Sequence, residues 1–209
     1  MASTAHVETA PPVPAAAEHG PASIADPGPL GLAAFAMTTF ILSVFNANII
    51  KDGALEAVVL PVALFYGGIG QLLAGMWEFK KANTFGALAF TSYGAFWLSF
   101  AFLVRYVAPE LPPADAYKGV GLFLLAWTIF TAYMMVAALR VSGAVAAVFI
   151  VLLLTFLALT IGALGQHSGL THLGGWLGLL TAVLAWYASF AGVTAATFKR
   201  SVLPTFPMA

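Results

Sequence analysis

The chain has 209 residues, of which only 8% are charged and 61% are apolar, and its formal net charge is zero. A soluble domain carries about 25% charged residues to solvate its surface, so this composition excludes an ordinary water-exposed globule and points to a lipid-facing one. Zero net charge leaves no basic field for nucleic acid, and the absence of cysteine excludes disulfides, thiolate catalysis and cysteine-held metals.

Residues 1–25 are rich in Ala and Pro with no apolar periodicity. Such a segment buries too little surface to offset its ordering entropy and is expected to be a disordered tail. It lacks a basic stretch followed by an apolar core, so it does not read as a secretory signal. The membrane part is expected to occupy residues 26–204, with 205–209 as a short C-terminal tail. Within it, apolar stretches of about 20 residues, the length that crosses a hydrocarbon core of about 30 Å as helix, alternate with short polar breaks. Span one runs from about Leu30 to Ile50 and ends at Lys51 and Asp52. Span two covers about Ala57 to Trp77, then Glu78, Lys80 and Lys81. Span three covers about Thr84 to Val104, closed by Arg105, and is followed by an aqueous loop containing Pro109, Glu110, Pro112, Pro113 and Asp115. Span four covers about Gly119 to Leu139, closed by Arg140. The uncharged run from Val141 to Phe198 is too long for one crossing. It breaks at Gln166-His167-Ser168-Gly169 into span five (about Ala144 to Gly165) and span six (about Leu173 to Thr197).

The expected fold is therefore an all-α membrane protein with six transmembrane helices, which puts both termini on one side. That side holds Lys80, Lys81, Arg140, Lys199 and Arg200, against Lys51, Arg105 and Lys118 opposite. The positive-inside rule then places the termini in the cytoplasm by a margin of two charges.

No charge lies near the middle of a span, which argues against a voltage sensor or a deep carboxylate relay. Instead, residues three or four apart form strips down single helix faces. These are Phe35, Thr39, Ser43 and Asn46; Gly67, Gln71, Gly75 and Glu78; and Gly86, Phe90, Tyr93 and Trp97. Two readings compete for them. One is helix–helix glue, in which small residues let backbones approach and each hydroxyl bond contributes about 0.6 kcal/mol. The other is a polar lane for a solute, favoured by Asn46 and Gln71, whose amides have four hydrogen-bonding valences each to satisfy. Glu78 fits either an interfacial partnership with Lys80 or Lys81 or a place at the mouth of such a lane.

Other patterns carry less. His167 and His172 fall in the connector before span six with no carboxylate close in sequence, so a solvated or capping role outweighs a metal site. Gly67-Gly68-x-Gly70 lacks the Lys-Ser/Thr of a phosphate loop, and Gly174-x-x-x-Gly178 reads as a helix-contact motif. No nucleophile–base arrangement appears, so no enzyme is expected, and no cofactor or metal.

Several of these stretches are similar to one known family. Asp26-Pro27-Gly28-Pro29-Leu30-Gly31-Leu32 resembles the N-P-A-P-L-G-L signature of the acetate uptake transporters, which include bacterial succinate–acetate permeases. Ala36-Met37-Thr38-Thr39, Phe65-Tyr66-Gly67-Gly68-Ile69 with Gln71, and Asn83-Thr84-Phe85-Gly86 resemble the same family. So do Phe90-Thr91-Ser92-Tyr93-Gly94, His172-x-x-Gly175-Trp176-x-Gly178 and Val202-Leu203-Pro204, in order across residues 26–204. The resemblance implies transport of acetate and related short carboxylates, including succinate, by proton-linked or channel-like passage. It implies a homohexamer in the inner (plasma) membrane, each subunit holding its own path. By motif alignment it puts an apolar constriction on Phe35, Tyr93 and Leu152 and a size-determining residue on Ala185. Thr38, Thr39, Asn46, Gln71, Glu78 and Trp97 are together expected to form the polar lane. The chain departs from the signature at Asp26, which replaces Asn and adds a negative charge, and at Gly28, which replaces Ala. The alternatives are a channel for another small solute such as ammonium, or a membrane scaffold that transports nothing.

Overall fold

The computed structural model describes residues 24–208; the expected N-terminal tail falls, up to residue 23, outside the described residues. Among the described residues, six helices are long and apolar enough to cross a membrane: α1 Gly28–Asn46, α2 Gly53–Lys80, α3 Thr84–Glu110, α4 Ala116–Ala138, α5 Gly143–Leu164 and α6 Ser168–Phe198. Their starts are capped as the sequence allows. Pro27 and Pro29 flank the first residue of α1, where proline forfeits no helical bond. Asn83 accepts the Gly86 N–H (3.2 Å) at the start of α3, and Ser142 accepts the Val145 N–H (3.2 Å) at the start of α5.

The ends are set by left-handed residues. Asn48 (φ 57°) follows α1, Ala82 (φ 57°) follows α2, Gln166 (φ 52°) follows α5 and Lys199 (φ 56°) follows α6. This geometry moves two of the expected boundaries. α1 stops at Asn46 rather than Ile50, because the chain reverses at Asn48, whose N–H meets the Phe45 carbonyl at 2.8 Å. α6 begins at Ser168 rather than Leu173, so His172 lies inside the helix and not in the connector. α2 and α3 also run past their apolar windows, to Lys80 and Glu110.

α2 and α3 are not uniform. α2 opens as a tight 3₁₀ segment (Gly53–Val58) and widens into a π-helical turn at Phe65–Gly70 before resuming as α-helix. Pro61 lacks an N–H, but its own carbonyl accepts from Phe65. α3 ends in a second π-helical turn, Leu103–Val107. By contrast α4, α5 and α6 are uninterrupted α-helix.

The helices form a ring in chain order, with α6 closing on α1. Small residues set the tightest contacts. A Cβ on Gly178 would collide with Ser43 of α1 and one on Gly174 with Leu159 of α5. The Gly174-x-x-x-Gly178 motif thus wedges α6 between two neighbours. Paired hydroxyls tie the same half together: Thr128 with Thr160 (2.8 Å, α4 to α5) and Thr155 with Thr181 (3.3 Å, α5 to α6). Ser189 Oγ donates to the Pro29 carbonyl (2.7 Å), joining α6 to α1. The backbones of α3 and α4 touch least, because rings fill the space between them. Phe96–Trp127 centroids lie 5.2 Å apart and Tyr93–Phe130 centroids 5.3 Å apart.

The end of the chain is tied down. Gly143 N–H donates to the Phe206 carbonyl (2.8 Å) and Ala144 N–H to the Thr205 carbonyl (3.1 Å). Tyr187 Oη donates to the Pro204 carbonyl at 2.7 Å. The Gly143 and Ala144 bonds satisfy N–H groups that the first turn of α5 could not pair internally.

Candidate transport path

Two cavities lie within the ring, at opposite ends of it. The first, of about 260 Å³, is bordered by all six helices, among others through Asn46, Glu56, Trp97, Phe123, Thr155 and Thr171. The second, of about 170 Å³, lies between the start of α1, the end of α2 and the starts of α3 and α5. Each has room for several water molecules, whose share of liquid volume is about 30 Å³ apiece. Phe35 and Leu152 border both cavities. The two spaces are therefore parted by a thin layer of apolar side chains near the middles of α1 and α5.

Around that layer the rings interlock. Phe35 and Tyr93 centroids lie 5.7 Å apart and those of Tyr93 and Phe149 6.0 Å apart; Phe96 meets Phe156 at 5.5 Å on the side of the first cavity. The buried Tyr93 hydroxyl shares a hydrogen bond with Thr131 of α4 at 2.9 Å, which fixes where the ring stands.

The structure distributes the sequence-derived residues unevenly. Phe35, Thr39, Ser43, Asn46, Trp97 and Leu152 border the first cavity. Asp26, Leu32, Phe35, Gln71, Glu78 and Tyr93 are among those bordering the second, and Leu152 borders it too. Thr38 borders neither: it faces Gly67 in the α1–α2 contact and its hydroxyl donates to the Ala34 carbonyl (3.0 Å). Ala185 is fully buried in the core cluster with Phe35 and Leu152, yet lines neither cavity. The rest of the signature is structural. Pro27 and Pro29 offer carbonyls to Gly31 and Ser189, Gly31 lies so close to the Phe90 ring that a Cβ would clash, and Leu30 faces outward.

Three of these residues carry buried polar atoms with no hydrogen-bond partner among the described residues: Thr39 Oγ1, Gln71 Oε1 and Trp97 Nε1. A buried group left unpaired costs about 1–3 kcal/mol. All three belong to residues on the cavity walls. The fourth such atom, Thr91 Oγ1, sits in the α2–α3 contact against Gly75.

At the outer end of the second cavity the charges sort themselves. Lys81 Nζ pairs with Asp26 Oδ1 (2.9 Å), which also accepts the Gly28 N–H (3.2 Å). Glu78, 1% exposed, accepts instead from Asn83 Nδ2 at 2.9 Å. Glu78 thus borders the cavity without a lysine partner. The sequence assigned no role to Glu56, Thr128 and Thr131, and Asn83 entered only as part of a family-like stretch. The two threonines stand three apart on span four, the same spacing that marked the other strips.

The profile of the GPR1/FUN34/yaaH family matches residues 9–209. The chain belongs to that family. Among its members, "Succinate-acetate/proton symporter SatP" of Escherichia coli (strain K12) is 38% identical over 185 residues, covering 88% of this chain and 97% of that one. "Ammonia transport outward protein 2" of Saccharomyces cerevisiae is 41% identical over 193 residues, and this chain spans 66% of its length. The structure titled "Structure of the bacterial acetate channel SatP" superposes with a TM-score of 0.81 at 36% identity, covering 88% of this chain and 99% of that one. As a GPR1/FUN34/yaaH member with six membrane-length helices, the chain is a multi-pass membrane protein.

Proposed function

We propose that this protein moves acetate and related short carboxylates, succinate among them, across the membrane through the axis of each subunit. The observation that carries the reading is the pair of cavities reaching inward from opposite ends and meeting at Phe35 and Leu152. Thr39, Asn46 and Trp97 on one side, and Gln71 and Glu78 on the other, form the polar lane; Phe35, Tyr93 and Leu152 form the constriction. Ala185 acts on solute size through the packing of α6, being off the cavity walls.

The chemistry favours the acid over its anion. A carboxylate leaving water faces a cost of several kcal/mol even after relaxation, and no lysine or arginine borders either cavity to offset it. Glu78 and Asp26 stand at one end, with Lys81 balancing only Asp26. The neutral acid meets none of this repulsion, and the orphan hydroxyl, amide and indole groups replace part of its hydration. Uptake then rises as the pH falls towards about 4 to 5, where a carboxylic acid takes up its proton. The assembly that fits this reading is a homohexamer in the inner membrane with cytoplasmic termini, as in the sequence-derived expectation.

Labelled acetate uptake into proteoliposomes, with pH gradient and membrane potential clamped separately, tests the proposal. Flux that follows the pH gradient supports it, and flux no greater than in protein-free vesicles refutes it. The name of the yeast relative favours a second reading, passage of ammonia. Ammonia flux without acetate flux in the same vesicles would select it.

A further inference from the structure

A third cavity, of about 320 Å³, lies apart from the axis, between α2 and α3 alone. Its walls are the 3₁₀ start of α2 (Gly53, Ala54, Glu56) and the end of α3 (Phe100, Val104, Arg105, Pro109). Most of these residues are exposed, so the cavity opens to the outside at the end of the ring away from Asp26. Glu56, Phe100 and Val104 also border the first axial cavity. A single layer of side chains therefore divides the flank from the axis.

Arg105 and Glu56 bring opposite charges to facing walls of this space, yet neither forms an ion pair among the described residues. The Arg105 guanidinium lies 5.2 Å from the Tyr106 ring centroid, a contact that leaves its fork of N–H donors free. That fork matches the two oxygens of a carboxylate. The α3 wall is a π-helical turn and the α2 wall a 3₁₀ segment, backbone geometries that recur where helices adjust for function.

We propose that this flank cavity is a side portal and loading site for short-chain carboxylate anions. Arg105 holds the anion; on taking a proton from water the solute leaves as the neutral acid, which passes the partition of Glu56, Phe100 and Val104 to reach the axis. The proposal rests on the transport reading given above. Arg105 concentrates a solute that an axis bordered by no lysine or arginine could not attract, while Glu56 keeps a bare anion from slipping through.

The test uses full-length protein in vesicles. Arg105→Gln is expected to raise the acetate KM about fivefold at low salt with kcat unchanged, the gap closing as ionic strength screens the charge; Arg105→Lys should recover part of the loss. The chain has no cysteine, so Val104→Cys supplies a single thiol in the partition. Acetate should slow its modification by a charged thiol reagent more than equal chloride does, and Arg105→Gln in that background should abolish the protection. Absence of flux in the wild type would overturn the transport reading itself. Wild-type flux with an unchanged KM in Arg105→Gln and no acetate protection at Val104→Cys would overturn the portal alone.

Discussion

Leu152→Ala tests the thin layer between the two axial cavities most directly. The leucine is 3% exposed and borders open space on both sides. Truncating a core leucine costs about 2–5 kcal/mol, depending on how many neighbours are lost. Here part of the side chain already faces cavity, so the loss should fall near about 2 kcal/mol and the fold should survive. The effect on transport should be larger in ratio than in rate. A hydrophobic site discriminates by about 1–3 kcal/mol for each methylene it excludes, and succinate is two carbons longer than acetate. Removing three carbons from the partition is then expected to raise the succinate-to-acetate flux ratio about tenfold, equivalent to about 1.4 kcal/mol. Parallel uptake of the two labelled acids into proteoliposomes of matched protein content gives the ratio. A ratio within about twofold of wild type, from protein that inserts and elutes normally, would show that Leu152 does not limit passage.

Gln71→Leu removes the unpartnered amide oxygen of a residue on the second cavity; acetate flux should fall while thermal stability rises or holds, and unchanged flux would show that Gln71 serves packing rather than the path. Glu78→Gln keeps an acceptor for Asn83 but loses the charge, so the pH profile of uptake should change; an identical profile would reduce Glu78 to an anchor of the α2–α3 turn. Asp26→Asn breaks a solvent-exposed pair worth about 0–1 kcal/mol, leaves the melting temperature nearly unmoved, and should lower the acetate KM as Lys81 is freed. Ala82→Gly relieves a left-handed residue (φ 57°) that costs about 1–2 kcal/mol for a side chain with a Cβ. Part of that gain is returned to unfolded-chain entropy, so a melting temperature lower than wild type would contradict the strain.

How much of this was legible depends on the scale of the feature. Six crossings could be read because each apolar run matches a bilayer in length, and Phe35, Thr39 and Asn46 could be grouped because helical spacing alone puts them on one face. What spacing cannot supply is rotation of one helix against another. Thr38 and Thr39 are neighbours in sequence, yet one is spent on the α1–α2 contact and the other borders a cavity. Ala185 was placed by alignment, and only the packed structure puts it behind the wall rather than on it. The hydroxyl pairs Thr128–Thr160 and Thr155–Thr181 join separate spans, so no local pattern announces them. The tie between residues 205–206 and α5 escaped for the same reason, because an irregular segment acquires meaning only from what it meets.

The contrast between the two halves of the ring bears on motion. Stitched threonines and unbroken backbone make α4, α5 and α6 a stiff chassis, while every departure from regular helix falls in α2 and α3. Amide protons at Gly53–Gly70 and Leu103–Val107 should therefore trade with deuterium sooner than those of the chassis, and any breathing that lets cargo through will be borne by that softer pair.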